Sequence, residues 1–342
     1  MSEDTPRTRR HLFVLTTTLV SLSLLAAACG SSGSEEAGDE TTSTSSAETS
    51  TSAGPVEDTT VTIGFTPVPS AAPAYIAEKE GLFTDHHLTA KIEPVQGGAD
   101  SIPLVMRGDM QFSYTNVISV IQASDAGIPL CVVTAGDMNR ADTHSIYVMG
   151  DSPIQEAKDL EGKKVAINNL RNIGHLGMVL AIEAAGADAS KVNFVELPFP
   201  NMPQALEQGA IDAAMLPEPF ATVAQGTLGA RRAVSMFTED YEDFPNGVYV
   251  TSRDYAEANP EVVEEFATAI EEAMQLANDD PQHVIDVVPT FTKVTPEMAA
   301  KIGLPHFMVP LDVDRLQFAA DTMGEFDFLD GEFDMSSLLC GS

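Results

Sequence analysis

Residues 61–83 read VTIGFTPVPSAAPAYIAEKEGLF, and this stretch changes character twice. Val61, Ile63 and Phe65 alternate with Thr62 and Gly64, the two-residue period of a strand. Residues 66–73 hold three prolines, a serine and small side chains, which break regular structure. Residues 74–80 are good helix formers, and Gly81 stands where a helix ends on a glycine. Open α/β sheets place ligands at the turn from a strand's carboxyl end into a helix. Free backbone N–H groups there receive an anion or a carbonyl oxygen.

Outward from this unit, strand and helix signals alternate. Residues 88–95 predict a strand, 96–100 a turn, 101–107 a short helix stopped by Gly108, and 110–114 a strand ended by Thr115-Asn116. A helix follows over 117–126, then a buried strand over 130–135. The plan then repeats. Residues 163–168 predict a strand, 169–172 a polar elbow, 173–185 a helix before Gly186, and 193–197 a strand. Residues 202–208 predict a helix before Gly209, and 211–216 a strand before Pro217-Glu218-Pro219. The short helices 102–108 and 202–209 echo one another, each capped by glycine and feeding a strand. Alternation of this kind means α/β with a largely parallel sheet. Asn259-Pro260 predicts a helix start, and Val263, Phe266, Ala267, Ile270, Met274 and Ala277 line one face of the helix that follows.

The chain has 342 residues and a formal net charge of −33, which argues against nucleic acid and against docking on an anionic membrane surface. Residues 1–29 predict a targeting segment. Arg7, Arg9 and Arg10 precede an apolar run, and Ala26-Ala27-Ala28 precedes Cys29, which resembles a bacterial lipobox with Ala26 where leucine is usual. Lipidation of Cys29 is expected, and the apolar run is short for a spanning helix. Residues 30–59 are a Ser/Thr-rich acidic tether. Cys131 lies in an apolar run and reads as a buried thiol; pairing with Cys340 is the alternative that an extracytoplasmic compartment permits.

Four segments resemble the periplasmic substrate-binding proteins of ABC importers, in the branch that takes nitrate, sulfonates, taurine and pyrimidine precursors. They are 73–83 (PAYIAEKEGLF), 159–165 (DLEGKKV), 205–213 (ALEQGAIDA) with Glu218-Pro219, and 259–262 (NPEV). The resemblance implies a two-lobed type II periplasmic-binding-protein fold. Each lobe is a mainly parallel sheet flanked by helices, and a two-segment hinge joins them. Lobe 1 spans 60–146 and returns over 248–342; lobe 2 spans 147–247. It also implies capture of a small solute for a permease and its ATPase; a monomer is expected, and lipid on Cys29 followed by the tether would hold it on the outer face of the cell membrane.

The expected cleft is lined from lobe 1 by Thr66, Ser70, Gly97, Gly98, Thr115 and Asn116, and from lobe 2 by Asn169, Arg171, His175, Asn201 and Glu218. For each polar group the plain alternative is a turn or cap residue bonded to its own backbone. Arg140 and Arg171 are the bases nearest the cleft, and either suits a sulfonate or carboxylate. A small organic anion is therefore the expected ligand, with a neutral pyrimidine as the alternative. No cofactor is called for. GxSxG, P-loop and HExxH patterns do not occur, and adjacent His86 and His87 make a poor metal pair, so no enzyme is expected.

Overall fold

The alternation at 61–65 is realised in a strand whose Val61, Ile63 and Phe65 are all buried. The computed structural model describes residues 58–140 and 143–341. The leader with Cys29 and nearly all of the tether lie outside the described residues. In chain order the strands are β1 (Thr59–Phe65), β2 (Leu88–Pro94), β3 (Phe112–Asn116), β4 (Leu130–Ala135), β5 (Asp137–Asn139), β6 (His144–Met149) and β7 (Lys164–Ile167). They continue with β8 (Asn193–Glu196), β9 (Ala213–Pro217), β10 (Ala230–Ser235), β11 (Phe244–Pro245), β12 (Gly247–Ser252) and β13 (His306–Phe307).

Two five-stranded sheets share one pattern. The first has the order β2-β1-β3-β12-β4 and the second β8-β7-β9-β6-β10. In each, the first three strands are parallel and the fourth runs antiparallel to both neighbours. Parallel neighbours need a crossover through a helix, which the alternating sequence supplies. The fourth strand is the one that the chain enters from a crossing between the sheets. The helices Gly98–Met106 and Met202–Glu207 hold equivalent places, each ahead of its sheet's third strand. Strand β10 carried no alternating signal and was not anticipated.

Residues 136–140 and 236–246 both run between the sheets. Their short strands β5 and β11 pair, with Phe244 opposite Asn139, and β13 pairs on the other side of β5, with His306 opposite Met138. The two expected crossing segments are thus joined by a third short strand, β13, in one small sheet.

The helix Pro260–Asp279 covers the first sheet. Phe266 stacks on Phe112 with ring centroids 3.7 Å apart, and Ile270 and Met274 are fully buried. Asn259 precedes this helix but does not cap it; its side-chain amide donates to the Tyr255 carbonyl instead. Ala267 is only half-buried, and Ala269 and Ala273 lie on the covered face. The helix Val313–Glu325 buries Leu316, Ala319 and Met323 in an apolar cluster that also holds Ile118 and the second sheet's Ile146. Beyond it, Phe328 packs on His175. Residues 248–342 therefore reach both sheets. Among the described residues no helix is long and apolar enough to cross a membrane.

Cys131 is buried as expected, but it is not a free thiol: it is bonded to Cys340 with an S–S distance of 2.10 Å. The C-terminal chain is brought there by backbone pairing. Leu339 bridges Val132, and the Cys340 N–H donates to the Val132 carbonyl at 2.9 Å. The bond closes a sequence separation of 209 residues. Chain entropy over a loop of that length is worth about 5 kcal/mol as an upper value. Cys340→Ser is therefore expected to lower the urea midpoint markedly relative to the oxidised wild type. Equal midpoints would show that the bridge adds nothing.

Candidate functional site

The carboxyl ends of β1 and β3 face those of β7 and β9 across a cleft enclosing about 80 Å³. Thr66 and Ser70 come from the elbow after β1, Thr115 and Asn116 from the end of β3, and Gly98 from the helix that starts there. From the second sheet come Asn168, Asn172, Met215 and Glu218. Six of the expected residues thus lie together: Thr66, Ser70, Gly98, Thr115, Asn116 and Glu218. β3 ends two residues later than its pattern suggested, so Asn116 is both strand end and helix cap. Its Oδ1 accepts from the Ser119 N–H at 2.9 Å.

The other six have different surroundings. Gly97 is at the rim, where its missing side chain admits Asn169; a Cβ there would stand 2.8 Å from Asn169 Oδ1. Asn201 is exposed, and Phe199, two residues before it, takes the lining position. Arg140 does not reach the cleft, because its Nε donates to Asp243 Oδ1 at 3.0 Å, joining the two crossing segments. Arg171 adopts a positive φ of 58°, which turns its side chain outward. Its guanidinium donates to the Asp327 carbonyl and lies over the Phe328 ring. His175 packs between Phe194 and Phe328, with its Nδ1 accepting the Arg171 N–H at 2.9 Å. Burial, and then the Arg171 charge, pull its pKa down to about 4. The expected cationic recognition of an anion by Arg140 or Arg171 is therefore not supported: among the described residues lining the cleft, none is lysine or arginine.

The cleft floor rests on a residue that sequence reading missed. Asp137 is 1% exposed and is the first residue of the short strand β5, with no motif around it. Its carboxylate accepts from Ser70 Oγ at 2.6 Å, from the Tyr114 hydroxyl, and from Asn246 Nδ2 at 3.1 Å to each oxygen. Burial pushes its pKa up, and the hydrogen bonds oppose that shift. Three converging donors on two oxygens suit an ionised, acceptor-only carboxylate. The one sequence signal was Gly136-Asp137 interrupting an apolar strand. Opposite, an amide chain runs from Asn172 Nδ2 to Asn168 Oδ1 at 2.8 Å, and from Asn168 Nδ2 to Asn169 Oδ1 at 3.0 Å. Asn172 also caps the helix Ile173–Ala184.

Glu218 is buried, and burial raises its pKa. Thr222 holds it through both N–H, at 3.1 Å, and hydroxyl, at 3.0 Å. His144 is buried at the start of β6, and burial alone pulls its pKa down to about 4. It is therefore neutral at physiological pH. The Thr115 hydroxyl is buried and, among the described residues, has no hydrogen-bond partner.

Two predictions follow from this packing. A Cβ on Gly98 would lie 2.0 Å from Thr115 Oγ1 and 3.1 Å from the Asn116 nitrogen, whereas one on Gly226 meets nothing within 4 Å. Gly98→Ala is expected to destabilise by about 1–3 kcal/mol through overpacking, and helical Gly226→Ala to stabilise by up to about 1 kcal/mol. Chemical denaturation of the two variants should give opposite signs. For His144, the folded pKa of about 4 lies below the unfolded value of 6.5, so the unfolded chain binds the proton first as pH falls. Its contribution is whole above pH 6.5 and is lost between there and pH 4, by up to about 3 kcal/mol. His144→Asn should flatten that part of the stability–pH curve; an unchanged slope would contradict the assignment.

Comparison with known proteins agrees with this architecture. The family model described as "NMT1/THI5 like" matches residues 68–284, more than half of the chain. The taurine-binding periplasmic protein of Escherichia coli (strain K12) is 25% identical over 218 residues, 62% of this chain. The chain spans 65% of the length of that curated relative. The fold is similar to that of the periplasmic aliphatic sulphonate binding protein SsuA from Escherichia coli, with a TM-score of 0.66 and 20% identity over 82% of this chain and 97% of that one. It is likewise similar to the periplasmic nitrate-binding protein NrtA from Synechocystis PCC 6803, with a TM-score of 0.68 and 15% identity over 82% and 85% of the two chains. With two matching sheets, the three-stranded connection between them and these likenesses, the chain has the periplasmic-binding-protein fold and belongs to the NMT1/THI5 like family.

Proposed function

We propose that this chain is the extracytoplasmic solute-binding component of an ABC importer. It takes a small polar molecule into the cleft and delivers it to the permease and its ATPase without transforming it. The observation that carries this reading is the lining of one cleft from the strand ends of both sheets, beside a connection of three short strands. Such a connection can flex while each sheet stays rigid, so that closure buries the solute and creates a new surface for the permease. The relatives named above bind taurine, aliphatic sulphonates and nitrate, which supports a solute of that size.

In this reading 60–146 and 147–247 are the two lobes, and 248–342 returns to lobe 1 before its last helix reaches across. Residues 1–29 direct export, Cys29 carries lipid, and 30–59 tether a single copy to the outer face of the membrane. The Cys131–Cys340 bridge suits that oxidising compartment. The solute meets Thr66, Ser70, Gly98, Thr115, Asn116 and Glu218, joined by Tyr114, Asn168, Asn172 and Asn246.

Native mass spectrometry of the chain isolated from its host is expected to show one small-molecule adduct that is lost on unfolding. Adding that molecule back should reduce the radius of gyration in solution scattering. Turnover of the bound molecule by the purified chain would reject a pure carrier.

A further inference from the structure

The proposed capture role leaves the charge of the solute open, and the hydrogen-bond polarity of the cleft bears on it. A hydroxyl has one proton to give. The protons of Ser70 and Tyr114 are both committed to Asp137. What these two hydroxyls turn toward the cleft is therefore lone pairs. The Tyr114 oxygen also accepts from Asn246 Nδ2 at 3.3 Å. Asn246 itself gives its amide protons to Asp137 and Tyr114, so its donors are spent on the floor as well. Across the cleft, Glu218 adds a second carboxylate, and its hydrogen-bond donors are Thr222 and the Gly303 N–H.

Among the described residues, no positive charge balances these acids at the lining. Arg140 is paired with Asp243, and Arg171 is turned to Asp327 and Phe328. The cation acting on Glu218 is Arg232, which is exposed on β10 and does not line the cleft. His144 adds no charge, since burial keeps it neutral. A bare anion entering here would meet two carboxylates and a floor of acceptors, and like charges in a desolvated site repel strongly. A group with several N–H donors, or a positive charge, would meet partners already oriented for it. Thr115 and the uncapped start of the helix Gly98–Met106 are left to serve the solute's other end.

Resting on the capture reading, we infer that the solute carries a protonated amine or an N–H-rich nitrogen group. That group is received by the floor of Ser70 and Tyr114 above Asp137 and by Glu218, and Asp137 acts as a positioning residue that sets the polarity of the floor. Taurine-like amino acids and aminopyrimidines belong to this class; nitrate and unsubstituted alkyl sulfonates do not.

Titration calorimetry of the full chain with three pairs of probes that differ by one amine tests this. The pairs are taurine and ethanesulfonate, β-alanine and propionate, and 4-aminopyrimidine and pyrimidine. The tightest ligand is expected to be an amine member, with its amine-free partner at least 30-fold weaker. In Asp137→Asn the preference should shrink to below about 3-fold, because the amide offers one acceptor oxygen in place of two, and whichever of Ser70 and Tyr114 faces its NH2 group regains a proton to offer the cleft. Glu218→Gln, which leaves the floor intact, should retain part of the preference. Equal or tighter binding of ethanesulfonate or propionate by the wild type overturns the charge class while the capture role stands. Binding of none of the six also overturns it for solutes of this size, and the capture role then rests on the co-purified adduct. A preference untouched in Asp137→Asn that has folded normally removes Asp137 from the assignment.

Discussion

A buried carboxylate that has no cationic partner among the described residues organises the centre of this molecule. Asp137 lies in the middle strand of the three that connect the two large sheets, and it is almost wholly shielded from water. An isolated charge in such a place would be strongly unfavourable. It is retained because Ser70, Tyr114 and Asn246 converge on it, and charge-assisted hydrogen bonds are the strong ones. The three donors come from the elbow after β1, from the end of β3 and from the second crossing segment. One carboxylate thus fixes the cleft floor and the crossing segments together, and the Asn246 N–H adds a backbone bond to the Asp137 carbonyl at 2.9 Å.

Around that point the molecule has an approximate internal symmetry. Each five-stranded sheet is three parallel strands, a fourth that follows a crossing segment and runs antiparallel to its neighbours, and a fifth at the edge. Neither sheet is complete unless the chain crosses between them, so the connection is a consequence of how the sheets are assembled. Asp243 reinforces it from outside. Its carboxylate accepts from Arg140, and its backbone carbonyl accepts from Arg315 at 3.0 Å, which draws the C-terminal helix to the same place. An arginine that looked like a ligand contact is thereby a brace between segments. Because that pair is partly exposed, its role is better described as steering the crossing segments than as a large stabilising term.

The C-terminal segment adds two further ties. The helix Val313–Glu325 closes an apolar cluster that spans elements of both sheets, and Cys340 is bonded to Cys131 on the edge strand β4. Backbone pairing of Leu339 and Cys340 with Val132 covers part of that edge, which would otherwise present unpaired backbone groups.

The sequence by itself determined most elements of the two large sheets and where the site would form. Period-two alternation named β1, prolines named the elbow at 66–73, and glycines named the ends of helices, because these are local rules obeyed within a few residues. From strand ends alone, Thr66, Ser70, Gly98, Thr115, Asn116 and Glu218 could be placed at one cleft, and the structure brings them together. Tertiary structure alone decided the direction of the long side chains and the identity of distant partners. Arg171 was lost to the cleft through one positive φ, His175 through aromatic packing, and Arg140 through an acid more than 100 residues away. Asp137 gave no periodic or motif signal, since its importance lies in three donors from three separate segments. The Cys131–Cys340 bond likewise depends on a C-terminal strand-like contact that no local pattern announces. Local propensity reaches a few residues along the chain; charge, hydrogen-bond polarity and disulfide pairing are set by which segments meet in space.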